Sequence, residues 1–277
     1  MKFWNGISSK IENSEAVRGN KGVYVIDKFL GIGSFNNSYL ANGEVFLKQY
    51  TFPVEKHDGF FEFRNNLEKI YNKINNLTYT ENIIEIFEYK EHCFISRNYE
   101  KAVTLKKFIS QNPPIIQRFE ILRNLILPLF EIHQHGIVHT DLKPEQFLIL
   151  EDKIIIIDFD HCIDDGLHIY SPAFTNYWYS PEHIHDKNIS FHSDVFTFGL
   201  IVYKLLTNIH PFYKMINLGK YDEAILNKKE YTPINKIYKN SLPEDFADLI
   251  DAMLEPDFRN RPSTDEVYLA FSNLHIP

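Results

Sequence analysis

The segment Ile137 to Asp158, IVHTDLKPEQFLILEDKIIIID, constrains this chain more than any other. Two short apolar runs, FLIL and IIII, bracket a polar turn, EDK. Runs of that length around a turn signal predict two buried strands joined by a tight connection. Asp141, Lys143 and Gln146 come just before the first strand, and Asp158 just after the second. An antiparallel pair therefore brings all four polar groups to one end. Such a set can hold a divalent metal, a phosphate and a hydroxyl nucleophile together, which is what phosphoryl transfer requires. An ionised Asp158 at the end of a run of isoleucines needs a compensating partner, and a metal with phosphate oxygens supplies one.

The rest of the chain can support such a site. Its 277 residues suit one large domain or two lobes sharing an interface. Hydrophobic residues at 44% and aromatics at 15% are enough for a substantial core and argue against disorder. The net charge of −8, with no basic block, makes nucleic acid a poor partner. Two cysteines, Cys93 and Cys162, are far apart and lack metal-site spacing, which argues for a reducing compartment. No apolar run is long enough for a bilayer, and MKFWNGISSKIENSE has no continuous signal core. The expectation is a cytoplasmic protein without a membrane partner.

Up to about Glu100 the chain alternates short β-type runs: GVYVIDKFLGIG, SYLA, EVFLKQY, IIEIFEY and CFISRNY. Asn42-Gly43 between two of them is a hairpin signal. One helical pattern interrupts the strands, with Phe60, Phe63, Leu67, Ile70, Tyr71 and Ile74 on one stripe. Beyond that point the apolar spacing is mainly helical, in TLKKFIS, QRFEILRNLILPLFEIHQHG, SDVFTFGLIVYKLLTN, PEDFADLIDAMLE and STDEVYLAFSNL. Gly136 is a helix stop, and Ser263 or Thr264 starts the last helix.

Gly31-Ile32-Gly33-Ser34-Phe35-Asn36-Asn37-Ser38-Tyr39 lies between two predicted strands. Glycines at such a turn let backbone N–H groups approach phosphates, although Gly-x-Gly also occurs in plain hairpins. Position separates the two readings. Lys48 stands on the strand after the Asn-Gly turn, and H-T-D-L-K-P-E-Q and D-F-D follow in order. With these the chain resembles the eukaryotic-like serine/threonine protein kinases, whose motifs are H-R-D-x-K-x-x-N and D-F-G. The resemblance runs from about Val23 to Leu274. It implies an α+β, bilobal protein-kinase fold: a small β-rich N-lobe with one helix over 1–101, and a larger helical C-lobe over 102–277.

The resemblance also assigns roles. ATP binds between the lobes, with backbone from Asn98 to Glu100 on the adenine, and with Gly31, Gly33 and Lys48 on the phosphates. A glutamate of the helix, Glu68 or Glu62, pairs with Lys48. Asp141 orients the acceptor hydroxyl, Lys143 neutralises charge on the transferred group, and His139 supports the loop. Asp158 and Gln146 hold Mg²⁺, or Mn²⁺ in its place. His161 to Glu182 resembles the activation segment and closes in Tyr179-Ser180-Pro181-Glu182. Thr175 falls where a threonine reaches toward Asp141 and Lys143, which favours a protein Ser/Thr hydroxyl as acceptor. Asp194 resembles the residue that braces the catalytic loop, and Arg261 the partner of Glu182.

Five positions depart from the pattern. Asn36 replaces a glycine, with tolerance of positive φ as its compensation. Phe46 replaces a small residue beside the adenine, Thr140 an arginine, Gln146 an asparagine and Asp160 a glycine. With Thr140 in place of the arginine, activity is expected not to need a phosphate on Tyr170, Ser171 or Thr175. The departures also keep open a pseudokinase, an interaction module with little transfer. A small-molecule kinase is a third reading, disfavoured by Thr175 and by the complete helical lobe.

Overall fold

The computed structural model describes residues 10–33, 36–51, 58–164, 175–184, 189–238 and 242–274, and side chains within 58–164 from Phe63 on. The chain divides into two compact units. One holds the chain up to Asn76 together with Thr80–Lys101; the other holds Leu77–Tyr79 and everything from Ala102 on.

The first unit is an antiparallel sheet with one helix. Its strands are β1 (Ala16–Arg18), β2 (Val23–Ile32), β3 (Asn36–Ala41), β4 (Val45–Tyr50), β5 (Ile83–Tyr89) and β6 (His92–Asn98), in the order β1-β2-β3-β4-β6-β5. The period-2 pattern of a half-buried strand is plain in β2, where Tyr24 and Ile26 point inward and Val23 and Val25 outward. Tyr39, Leu47, Phe87 and Phe94 complete that core. The β3–β4 turn forms as expected: Asn42 and Gly43 take left-handed φ values of 50° and 74°, and Glu44 N–H closes on the Ala41 carbonyl at 3.2 Å. Helix α1 (Asp58–Ile74) buries Leu67, Ile70, Tyr71 and Ile74, the stripe anticipated from spacing.

The second unit is mainly helical. It opens with β7 (Val103–Thr104), α2 (Leu105–Ser110) and α3 (Ile115–Gln134). Short strands follow: β8 (Ile137–Val138), β9 (Phe147–Ile149), β10 (Ile154–Ile156) and β11 (Ile163–Asp164). The remaining helices are α4 (Pro181–Ile184), α5 (Phe191–Thr207), α6 (Tyr213–Asn217), α7 (Tyr221–Asn227), α8 (Ile234–Ile237), α9 (Glu244–Met253) and α10 (Thr264–Ser272). Helix α3 stops where the sequence predicts, with Gly136 at φ 72° and its N–H on the His133 carbonyl. Ser263 caps α10 in a capping box with Glu266.

Helix α5 is buried on nearly every side, since its apolar residues fall on all of its faces. Gly199 lets α9 approach: a Cβ there would lie 3.0 Å from Leu254 Cδ2 and 3.1 Å from Met253 Cβ. The last carbonyls of α5, Leu205 and Leu206, accept from the buried Arg118 guanidinium at 3.1 and 2.8 Å, which satisfies acceptors that every helix end leaves over. No helix of the described residues is long and apolar enough to cross a membrane.

Candidate active site

The predicted hairpin is present. Strands β9 and β10 pair antiparallel, Phe147 opposite Ile156 and Ile149 opposite Ile154. That register brings Asp141, Lys143, Gln146 and Asp158 to one end. Gln146 lies near both carboxylates, its Nε2 3.5 Å from Asp141 Oδ2 and 3.5 Å from Asp158 Oδ2. Both contacts are at the long limit of a hydrogen bond.

Asp141 is held on both of its oxygens. Lys143 Nζ donates to its Oδ2 at 2.6 Å, and the Thr175 N–H donates to its Oδ1 at 2.7 Å. The same ammonium also donates to Thr175 Oγ1 at 2.8 Å. Thr175 thus reaches both residues that the sequence assigned to it. An ionised carboxylate held this way, 6% exposed, presents a fixed acceptor for a hydroxyl proton, with a cation alongside.

The backbone under Asp141 is tied down from several directions. Thr140 is fully buried and left-handed at φ 66°. Asp194, at the start of α5, accepts from His139 N–H at 2.6 Å and from Thr140 N–H at 2.9 Å, as the sequence led us to expect. His133 Nε2 lies 3.0 Å from the same carboxylate, and its Nδ1 is 2.6 Å from the Thr264 hydroxyl of α10. His139 packs on Phe159 and is held neutral by burial, its pKa pushed down. Among the described residues its buried Nδ1 has no hydrogen-bond partner, which fits support by packing and not a base.

Glu182 and Arg261 form the expected ion pair. It is bidentate, with both N–O distances 2.9 Å and the guanidinium fully buried. The remaining Arg261 donors reach the Glu255, His192 and Pro256 carbonyls, and its plane lies 4.7 Å from the centre of the Phe196 ring. Burial alone would raise the Glu182 carboxyl; the Arg261 hydrogen bonds and charge outweigh it and hold the pKa below its ordinary value.

Three expectations need correction. Glu68 does not pair with Lys48: its carboxylate, half-exposed, accepts from Arg64 Nε one turn earlier at 2.9 Å, so it is a solvated helix charge. The alternative, the Glu62 side chain, lies outside the described residues, as do Ser34, Phe35, Tyr170 and Ser171. Asn36 has no positive φ to tolerate. It is the first residue of β3, and its amide packs where a Gly33 Cβ would come within 2.7 Å. Gln146 does not turn its amide oxygen toward Asp158. That oxygen accepts from Lys143 N–H at 3.0 Å, so the NH₂ group faces the carboxylates. The extra methylene lets the side chain curl back onto its own turn, and an NH₂ group cannot ligate a metal.

In the sheet unit, Lys48 lies on β4 between Ser38 of β3 and Ile95 of β6, buried to 8% exposure. Two residues earlier, the Phe46 ring carries the Arg97 guanidinium at 4.0 Å from its centre. Arg97 is buried, pairs with Glu81 at 2.7 Å, and donates to the Asn98 carbonyl at 3.0 Å. The Tyr99 N–H is taken by the Glu44 carbonyl at 2.7 Å. Sequence reasoning singled out Phe46 but missed Arg97 and Glu81. An arginine in the apolar run CFISRNY was the available signal, since a charge there must find a partner.

Comparison with known proteins agrees with this geometry. A profile of the protein kinase domain matches residues 24–270. The chain belongs to the protein kinase family. It is 25% identical to the serine/threonine-protein kinase PrkC of Bacillus subtilis, over 83% of this chain and 37% of that protein. It is 26% identical to the mouse dual specificity protein kinase TTK, over 94% of this chain and 32% of the relative. A probable serine/threonine-protein kinase PknB of Lactococcus lactis is 30% identical over 47% of this chain and 22% of its own length. The chain thus spans well under half the length of these relatives.

Proposed function

We propose that this protein kinase domain transfers the γ-phosphoryl group of ATP to serine or threonine hydroxyls of protein substrates. One observation carries the reading: Asp141 is held on one oxygen by Lys143 and on the other by the Thr175 N–H, with Lys143 shared to the Thr175 hydroxyl. That arrangement gives an acceptor hydroxyl a carboxylate to donate to, and gives the transferred group a cation. Transfer then rests on positioning and charge neutralisation, not on a covalent intermediate.

In this reading Lys48, Gly31 and Gly33 serve the phosphates, and backbone at Asn98 and Glu100 serves the adenine. Asp158 is the residue suited to hold Mg²⁺ or Mn²⁺. Among the described residues no three His, Cys, Asp or Glu side chains form a metal cage, so the ion's other ligands would be phosphate oxygens and water. When bound, the metal supplies charge neutralisation at the phosphates. Gln146 joins it only after its amide turns over, at the cost of the Lys143 N–H bond. A cytoplasmic setting belongs to the same proposal, since the chain has only two cysteines, Cys93 and Cys162, far apart in sequence.

A second reading, a kinase-fold interaction module with little transfer, is favoured by one group of contacts. The Phe46–Arg97 stack and the Arg97 bond to the Asn98 carbonyl occupy groups that the first reading gives to the adenine. The test is phosphate incorporation from radiolabelled ATP, wild type against Asp141→Asn, beside a thermal-shift titration with Mg-ATP. Incorporation lost in Asp141→Asn supports the kinase. Stabilisation by Mg-ATP with no incorporation into the chain or into generic protein acceptors supports the module.

A further inference from the structure

Thr140, the residue just before Asp141, is fixed through all of its polar groups. Its N–H donates to Asp194 at 2.9 Å, and its hydroxyl donates to the His161 carbonyl at 2.9 Å. Its own carbonyl receives His183 Nε2 of α4 at 3.0 Å. His183 is almost fully buried, and its ring is oriented by the residue just before α4: the Ser180 hydroxyl lies 2.8 Å and the Ser180 N–H 3.3 Å from Nδ1.

The tautomer follows from these contacts. A backbone N–H can only donate, so Nδ1 is the unprotonated acceptor. Nε2 therefore carries the hydrogen and donates to Thr140. Burial favours the same neutral form, since desolvation pushes the pKa of His183 down. The link runs across 43 residues of sequence, from the end of the activation segment to the peptide that carries Asp141. A left-handed threonine is a strained choice that the surroundings must over-determine. Asp194 and His161 hold two sides of it, and His183 holds the third.

We propose that His183 is a positioning residue for the transfer step: its Nε2–H pins the Thr140 carbonyl and so fixes where the Asp141 carboxylate stands relative to the acceptor hydroxyl. The proposal rests on the kinase reading above, and it gives the catalytic loop a brace that needs no phosphate. Neighbouring Glu182 already anchors α4 to Arg261, so the ring is presented from a fixed platform.

The test uses three variants of the whole chain. His183→Phe keeps the ring volume and removes the donor. His183→Gln restores an N–H donor and an acceptor in a flexible form. Ser180→Ala removes the hydroxyl that orients the ring. Steady-state phosphorylation gives kcat and the KM for ATP, and hydrogen–deuterium exchange of the peptide around 137–143 reports the loop without requiring activity. The expected result for His183→Phe is a fall in kcat of about tenfold to a hundredfold, the scale for a small misplacement of a reacting group. KM for ATP stays within about twofold, and the His139 and Thr140 amides exchange faster. His183→Gln recovers part of kcat and of the protection, and Ser180→Ala shows a smaller loss of the same kind.

Wild-type kcat or unchanged loop exchange in His183→Phe overturns the proposal. So does an equal loss in the Gln and Phe variants, or a change confined to the KM for ATP. Should His183→Phe fail to fold, Ser180→Ala decides: faster loop exchange supports the brace, and unchanged exchange overturns it. If the wild type transfers no phosphate at all while the variants still loosen the loop in the order Phe, Ser180→Ala, Gln, the kinase reading fails and the brace stands.

Discussion

Two carboxylates of the helical unit, Glu182 and Asp141, are each held by a cation, and the difference between them separates stability from chemistry. Glu182 meets the planar fork of Arg261 with two 2.9 Å bonds, and the rest of the guanidinium is spent on three carbonyls. Asp141 meets the ammonium of Lys143, which it shares with Thr175, and a Gln146 amide at the long distance of 3.5 Å. An arginine fork is rigid and directional, whereas a lysine is a point charge on a flexible stem that can be redirected. The Arg261 side chain is fully buried, and that of Lys143 is 19% exposed. The corner at Glu182 is closed, and the end at Asp141 can still rearrange around a substrate.

The contrast breaks most sharply if catalytic residues turn out to carry the fold. Asp141→Ala, Asp158→Ala and Lys48→Ala are each expected to abolish phosphate incorporation at saturating ATP while circular dichroism and the melting transition stay near wild type. Near wild-type incorporation in any of them would displace that residue from the site. Arg261→Ala is expected to do the opposite. It leaves Glu182 buried and unpaired, at a cost of roughly 3–5 kcal/mol in unfolding free energy. A denaturant titration measures it, and an unchanged midpoint would show that the corner contributes nothing.

Acid should open the same corner. The Glu182 carboxyl has a folded-state pKa below its ordinary value of 4.5. Its contribution is therefore fully present above about pH 4.5 and is lost as the pH falls through the lowered folded-state value. Melting temperature followed from pH 6 downward should fall more steeply in wild type than in Glu182→Gln with Arg261→Met. Parallel curves would mean that other carboxyls carry the acid sensitivity. Smaller still is the effect expected of Gln146→Asn. A shorter side chain cannot curl onto Lys143 N–H as Gln146 does, so its oxygen is freer to face Asp158. Activity should be kept or rise by a few-fold, with less divalent cation needed; loss of activity would show that the longer amide is adapted to its place. Least of all should change on phosphatase treatment: with Thr140 tied to His161, Asp194 and His183, the initial rate is expected to hold. A large loss restored by rephosphorylation would reverse that expectation.

The parts of the fold that were legible are those where periodicity or a backbone constraint acts locally. The hairpin at Phe147–Ile156, the Asn42-Gly43 turn, the α3 stop at Gly136 and the Ser263 cap all depend on neighbours within a few residues. The contacts of Asp141 with Thr175, of Asp194 with His139 and Thr140, and of Glu182 with Arg261 were legible only through family resemblance, because each spans tens of residues. What stayed hidden was the choice among several allowed partners. Glu68 had Arg64 one turn away, and local pairing won over a distant lysine. Gln146 could aim either end of its amide at Asp158, and the Lys143 N–H decided. His133 and His183 gave no sign of their importance, since a histidine's function lies in which nitrogen finds which neighbour.

The Glu182–Arg261 corner joins residues 79 positions apart, and the His133–Thr264 contact joins residues 131 apart. A ribosome emits residues one after another, at about 5–20 per second. For several seconds the nascent helical unit therefore carries a carboxylate destined for burial whose counter-charge has not yet been made. The chain up to α9 cannot lock, and the helices that surround the catalytic loop must wait for the turn-and-helix from Phe258 onward. That turn-and-helix acts as the latch of the unit. A stop codon between Glu182 and Arg261 should therefore yield a chain that quality control degrades, even though every residue proposed to touch ATP or acceptor has already been translated.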